Sequence, residues 1–235
     1  MKDTKKKVFE VIFFALLVAL MFVFSWTPLG MVPLGTASAT TIFIPVCIGI
    51  CFFKDFKYSI LLGFAFGLVS FIRAFVPNGP LDPYFQNPIV SVLPRMFVGV
   101  VGYFAYRVLH NTKGIIKYPV VGALVALFNT IFTMSTLLLV YYKDISNLVN
   151  NDFGMTVGAL LGSIALLNMI PEIALGVVLT PAVMFALDKV KVSRKMSEEE
   201  TNENETINSE KENKTIKWKY SSMRNIFFSQ EFVSL

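Results

Sequence analysis

The sequence has few of the residues that most enzymes use for catalysis or metal binding. Its 235 residues include two cysteines and one histidine. Cys47 and Cys51 would share one helix face, but with a single histidine they cannot complete a tetrahedral metal site, so we expect buried, reduced thiols. The G-x-x-x-x-G-K-[ST], H-E-x-x-H and G-x-S-x-G motifs do not occur in the sequence. We therefore expect no metal, no cofactor and no catalytic site.

Charged residues are also scarce over long stretches of the chain. It is 54% hydrophobic, with 23 phenylalanines and a mean hydropathy of +0.62, which is too apolar for a soluble protein of this length. An uncharged helix of about 20 residues can cross roughly 30 Å of hydrocarbon. The predicted spans are residues 9–26, 41–53, 58–75, 92–109, 120–142 and 155–187. The second is short, so it either extends backwards or packs against other helices instead of lipid. The predicted class is an all-α integral membrane protein.

Lysine and arginine gather at alternate ends of these spans, which predicts their orientation because basic flanks stay in the cytoplasm during insertion. The basic flanks contain Lys2, Lys5, Lys6, Lys7, Lys54, Lys57, Arg107, Lys113, Lys117, Lys189, Lys191, Arg194 and Lys195. Both termini are therefore expected in the cytoplasm. A signal peptide ending near Ala39 is an alternative, but its apolar run is long and its removal would leave five spans. The net charge of +5 reflects this bias, since no basic and aromatic residues interleave as in a nucleic-acid groove.

The composition changes abruptly near Met196. Residues 197–219 are rich in Glu, Asn, Lys and Thr, and such a segment buries too little apolar surface to fold. We predict a membrane domain over residues 1–195 and a disordered cytoplasmic tail over residues 196–235.

Polar groups inside the spans are costly to insert and are therefore candidates for function. Arg95 lies in the outer part of the fourth span, where its planar guanidinium could bind a carboxylate or phosphate. Asn129 and Thr133 share one face of the fifth span, and Asn168 and Glu172 lie four residues apart on the sixth. Arg95 could instead reach outward to water or pair with Glu172, and Glu172 could instead be protonated. Together these positions predict a pocket that opens outward.

Residues 24–46, FSWTPLGMVPLGTASATTIFIPV, join two apolar segments without a single charge. Proline, glycine and small hydroxyl residues suit a segment that folds over a ligand at membrane depth. Charges would keep such a segment in water. We interpret it as a lid, together with the outer segment 76–91.

Several motifs, in order, resemble the substrate-binding S components of energy-coupling factor (ECF) vitamin transporters over residues 8–191. They are Ala15-x-x-x-Ala19, TPLGMVPLGTASATTIFIPVCIG, SVLPRMFVGV, GALVALFNT and NMIPEIALGVVLTP. The resemblance implies a bacterial plasma-membrane subunit without its own ATPase, with a vitamin pocket lined by helices four to six. It also implies that Ala15 and Ala19 dock onto a membrane coupling protein that carries two cytoplasmic ATPase subunits, although these alanines could instead pack within the molecule.

The pieces TPLGMVPLG and ATTIFIPVCIG look most like pantothenate-specific S components. By that resemblance Arg95 would bind the carboxylate, and Asn129 and Asn168 the amide and hydroxyls. Riboflavin, folate and other small vitamins stay open at this point. A stand-alone secondary transporter is a further alternative, but no internal repeat is visible. An intramembrane hydrolase is poorly supported, because His110 falls at the opposite end of the fourth helix from the polar positions.

Overall fold

The chain folds as a bundle of α-helices with one short β-hairpin. The computed structural model describes residues 2–27, 30–34, 37–76, 82–148, 157–159, 162–163 and 165–191. The helices are α1 (Lys2–Trp26), α2 (Ile44–Phe53), α3 (Phe56–Arg73), α4 (Pro88–Val108), α5 (Gly114–Leu148) and α6 (Ala165–Lys191). Residues up to Phe185 belong to one compact unit and a second begins at Ala186. The predicted tail, 196–235, lies outside the described residues.

Five of these helices, all except α2, contain a stretch long and apolar enough to cross a membrane. The second predicted span, residues 41–53, corresponds to the ten-residue α2, and every residue from 41 to 50 is buried. The short second segment therefore packs against other helices, which is one of the two alternatives considered for it. It does not extend backwards as a helix, because the residues before it form a hairpin.

The hairpin pairs β1 (Met31–Leu34) with β2 (Ala37–Thr40) in antiparallel register, with Met31 opposite Thr40. The backbone pairing extends one residue beyond the two strands, because the Thr41 amide donates to the Gly30 carbonyl at 3.0 Å. The all-α prediction agrees with the five candidate spans but lacked this element. We call residues 31–40 the lid hairpin.

Several helix ends differ from their predicted positions. α4 begins at Pro88, four residues before the predicted start, because Asn87 caps it by accepting a hydrogen bond from the Ile89 amide at 3.0 Å and proline suits the first turn. Arg95 therefore lies about two turns inside α4. α5 runs on to Leu148, beyond the predicted end of the fifth span at residue 142, with a break in helical geometry at Tyr141. A short 3-10 helix, Asp82–Gln86, precedes α4.

Two glycines of α3, Gly63 and Gly67, bring this helix close to α4. A Cβ atom at Gly63 would lie 2.5 Å from the Arg95 carbonyl oxygen, and one at Gly67 would lie 2.7 Å from the Val92 Cα. Gly158 and Gly162 have the same spacing, but neither has a described atom within 4 Å of an added Cβ.

A second close crossing joins α5 and α6 at Gly122 and Gly176. A Cβ atom at Gly122 would lie 2.2 Å from the Gly176 carbonyl oxygen, and one at Gly176 would lie 2.6 Å from the Gly122 carbonyl oxygen. The two helices are therefore in backbone contact. This crossing sets the spacing of the polar side chains that lie about two turns after Gly122 on α5 and one turn before Gly176 on α6.

Candidate substrate-binding site

The buried carboxylate of Glu172 on α6 contacts both the lid hairpin and α5. Its side chain is 4% exposed. It accepts hydrogen bonds from the backbone amide of Thr40 at 3.2 Å and from the Thr40 hydroxyl, both at the end of the lid hairpin. It also accepts one from the Thr130 hydroxyl on α5 at 3.2 Å, and the Asn129 side chain is a further partner. Glu172 thus connects α6 to α5 and to the lid hairpin.

Asn129 and Thr133 lie one turn apart on α5 and are both buried, at 7% and 5% exposure. The Asn129 Oδ1 atom and the Thr133 hydroxyl have no hydrogen-bond partner among the described residues. An unsatisfied polar group away from water is costly. These two atoms are therefore suited to hydrogen-bonding a bound molecule.

Thr136 behaves differently from Thr133, although both face the same side of α5. Its hydroxyl donates to the Phe132 carbonyl of its own helix at 2.7 Å. This is the ordinary way in which a threonine satisfies itself within an apolar helix.

Arg95 on α4 is 8% exposed and lies beside two aromatic rings. Its Cζ atom is 5.3 Å from the centre of the Phe85 ring and 5.9 Å from that of Phe66. Its Nη1 atom donates to the Val90 carbonyl at 2.8 Å, whereas Nε has no partner in the part of the chain that the structure describes. The side chain is therefore held in place, and its Nε–H group can still donate a hydrogen bond to another molecule.

The two alternatives for Arg95 do not describe this geometry. Its burial rules out a side chain that extends outward to water. No ion pair joins it to Glu172 within the described residues, where each of the two side chains has other partners. Arg95 is thus a buried cation without a directly bound protein carboxylate in the described structure, an arrangement that an anionic ligand would complete.

The 3-10 helix Asp82–Gln86 lies beside Arg95 through its residue Phe85. The Ser91 hydroxyl donates to the Phe85 carbonyl, which fixes this short helix to the start of α4. The side-chain nitrogen of Asn87, at the start of α4, donates to the Tyr141 hydroxyl at 3.2 Å. This hydrogen bond connects the start of α4 to α5 at the residue where α5 departs from regular helical geometry.

The structure brings four of the five predicted residues into the buried interior: Arg95, Asn129, Thr133 and Glu172. The fifth, Asn168, lies one turn before Glu172 on α6 and is half-buried. Thr40 and Thr130 contact Glu172 but were not predicted. Neither threonine carries a signal in the sequence that distinguishes it from the other threonines, because adjacent helix positions such as 129 and 130 do not face the same side.

Comparison with known proteins agrees with this architecture. Residues 9–184 match the model of the family described as the ECF transporter, substrate-specific component. The chain belongs to this family. Its resemblance to the S components is thereby confirmed, and it is a transport component and not an enzyme. The chain is also 24% identical over 204 residues to the pantothenic acid transporter PanT of Lactococcus lactis subsp. cremoris (strain MG1363), a match that covers 80% of this chain and 97% of that relative.

Proposed function

We propose that this S component captures pantothenate from outside the cell for an ATP-driven ECF importer. The observation that carries the proposal is the buried Arg95 guanidinium, whose Nε donor is free among the described residues, in the same membrane domain as the unpartnered Asn129 Oδ1 and Thr133 hydroxyl. One anionic group and one or more hydrogen-bond donors on the ligand would satisfy all three.

Pantothenate has the groups that this set requires. Its carboxylate suits the planar guanidinium of Arg95, since such charge-assisted hydrogen bonds are stronger than neutral ones. Its amide N–H and its two hydroxyls can donate to Asn129 Oδ1 and to Thr133. Asn168, one turn before Glu172, is proposed to contact the amide and hydroxyls of the ligand together with Asn129. The similarity to a pantothenic acid transporter supports this choice over riboflavin or folate.

The proposed orientation places both termini in the cytoplasm and the lid hairpin at the outer surface of a bacterial plasma membrane. The distribution of Lys and Arg supports it. Substrate enters from outside, and closure of the hairpin and of the segment before α4 excludes water. In that environment a few hydrogen bonds hold the ligand firmly.

Energy for transport would come from partners, a membrane coupling protein and two cytoplasmic ATPase subunits. Ala15 and Ala19 are both exposed on α1, whereas Phe13 and Leu17 face the bundle. The exposed position of the two alanines supports a docking role over packing inside the molecule, because small residues allow another helix to approach closely.

The proposal is tested by identifying what the purified protein carries. The full chain would be solubilised in detergent, the small molecules released and identified by mass spectrometry, and pantothenate titrated by calorimetry. We expect bound pantothenate and tight binding. Another bound vitamin, such as riboflavin or folate, would retain the importer role and overturn the substrate. Uptake of a small metabolite by this chain alone, without coupling protein or ATPases, would favour a secondary transporter instead.

A further inference from the structure

Glu172 was predicted as a contact for the substrate, but its hydrogen bonds indicate another role. A carboxylate offers about four acceptor positions. Four protein donors already approach this one: the Thr40 amide, the Thr40 hydroxyl, the Thr130 hydroxyl and the Asn129 side chain. The carboxylate is therefore occupied by the protein itself and has little capacity left for a ligand.

Two of these four donors come from a single residue at the base of the lid hairpin. Thr40 is the last residue of β2 and stands opposite Met31, the first residue of β1. Beyond Thr40 the chain enters the fully buried residues 41–50. A two-stranded hairpin is at best marginally stable alone. The hydrogen bonds of Thr40 to Glu172 are therefore suited to hold the hairpin at this base.

The remaining donors come from the helix that carries the unpartnered polar atoms. The Asn129 amide must use its nitrogen to donate to Glu172, because a carboxylate only accepts hydrogen bonds. This orientation leaves Oδ1 as the free acceptor, in agreement with its lack of a partner among the described residues. Glu172 thus contacts both the lid hairpin and the amide that we assign to the ligand.

We propose that Glu172 is a positioning residue that holds the lid hairpin closed through Thr40 and orients the Asn129 amide, and that it is not itself a ligand for the substrate. The consequence for substrate retention rests on the proposed function, whereas the hold on the hairpin rests on the described hydrogen bonds alone. Loss of the hydrogen bonds between Thr40 and Glu172 should speed substrate release much more than it slows substrate entry.

The first test needs no substrate. Hydrogen–deuterium exchange of the full chain in lipid nanodiscs would be followed over the backbone amides of residues 30–41. Thr40→Val removes the hydroxyl donor and keeps the side-chain shape, and Glu172→Gln removes one acceptor. We expect each variant to raise the exchange rate of these amides about tenfold, the effect of roughly one charge-assisted hydrogen bond. The double variant should exchange no faster than the faster of the two single variants.

Two further variants keep the test specific. Thr40→Ser restores the hydroxyl and should restore slow exchange. Thr136→Val also removes a threonine hydroxyl from a span, but that hydroxyl bonds its own helix, and hairpin exchange should stay within about twofold of the parent.

Unchanged exchange in Thr40→Val and Glu172→Gln would overturn the proposal. So would a rise spread equally over every helix, because Glu172 would then stabilise the whole fold. If Glu172→Gln does not fold, Thr40→Val alone decides.

A second measurement separates this inference from the proposed function. The dissociation rate of bound pantothenate should rise about tenfold in Thr40→Val, with an association rate within about threefold of the parent. Normal retention in that variant, with pantothenate still bound, would overturn the positioning role and leave the proposed function intact. Faster hairpin exchange in a protein that binds no vitamin would support the hold on the hairpin and overturn the proposed function.

Discussion

Arg95 and Glu172 are both more than nine-tenths buried, yet each side chain is held by other groups and not by the other. Arg95 donates to the Val90 carbonyl and lies beside two phenylalanine rings, while Glu172 accepts hydrogen bonds from Thr40 and Thr130. A buried charge without a directly bound counter-charge is costly to maintain. The separation of the two groups therefore leaves Arg95 suited to an external anion.

This relationship predicts that Arg95→Ala will discriminate between charged and neutral ligands. Binding of pantothenate should weaken about 100-fold, whereas binding of its neutral alcohol analogue, pantothenol, should change only a few-fold, because only the carboxylate loses a charged partner. Calorimetric titration of both ligands measures the difference. Arg95→Lys keeps the charge but not the planar fork, and should fall between the parent and Arg95→Ala. Equal losses for both ligands would show that Arg95 only supports the fold.

A second prediction compares two threonines on one helix. Thr133→Val should weaken pantothenate binding about fivefold to tenfold, because its buried hydroxyl is unpartnered among the described residues and is assigned to the ligand. Thr136→Val is the matched control, since that hydroxyl is satisfied by the Phe132 carbonyl. Its affinity should remain within about twofold of the parent. The assignment of Thr133 fails if the two variants bind pantothenate equally well.

Much of the candidate site could be predicted because a buried polar side chain in an apolar span is costly and therefore conspicuous. Arg95, Asn129 and Glu172 each interrupt a long apolar run. Their burial was implied by that cost. Which partners they bind was not implied, because it depends on how the helices cross.

The lid hairpin and the threonines that contact Glu172 could not be predicted in the same way. A charge-free stretch with proline and glycine is compatible with a loop as well as with a hairpin. Thr130 and Thr136 look alike in the sequence. Only the close approach of α5 and α6 at Gly122 and Gly176 brings Thr130 to a carboxylate.

The third prediction concerns the exposed alanines of α1. Ala15→Trp should abolish co-purification with the membrane coupling protein while pantothenate affinity remains within about twofold of the parent, because the substitution blocks close helix approach far from the ligand. Leu139→Trp adds an indole ring at an 85% exposed position of α5 and should leave the complex intact. Complex assembly would be measured by affinity purification from a strain that expresses all subunits. A normal complex with Ala15→Trp would remove the docking assignment.

The last prediction tests the crossing of α5 and α6. Gly122→Ala places a Cβ atom 2.2 Å from a backbone carbonyl oxygen, which cannot move unless the helices separate. We expect Tm in detergent to fall by about 3 to 10 °C, because overpacking costs roughly 1 to 3 kcal/mol. Pantothenate affinity should fall with it, since the crossing sets the distance between Thr130 and Glu172. Gly158→Ala is the matched control, because that glycine has no described atom within 4 Å. Its Tm should stay equal or rise slightly, as alanine favours a helix. If Gly122→Ala melts at the parent's temperature, the backbones of α5 and α6 are not in contact there.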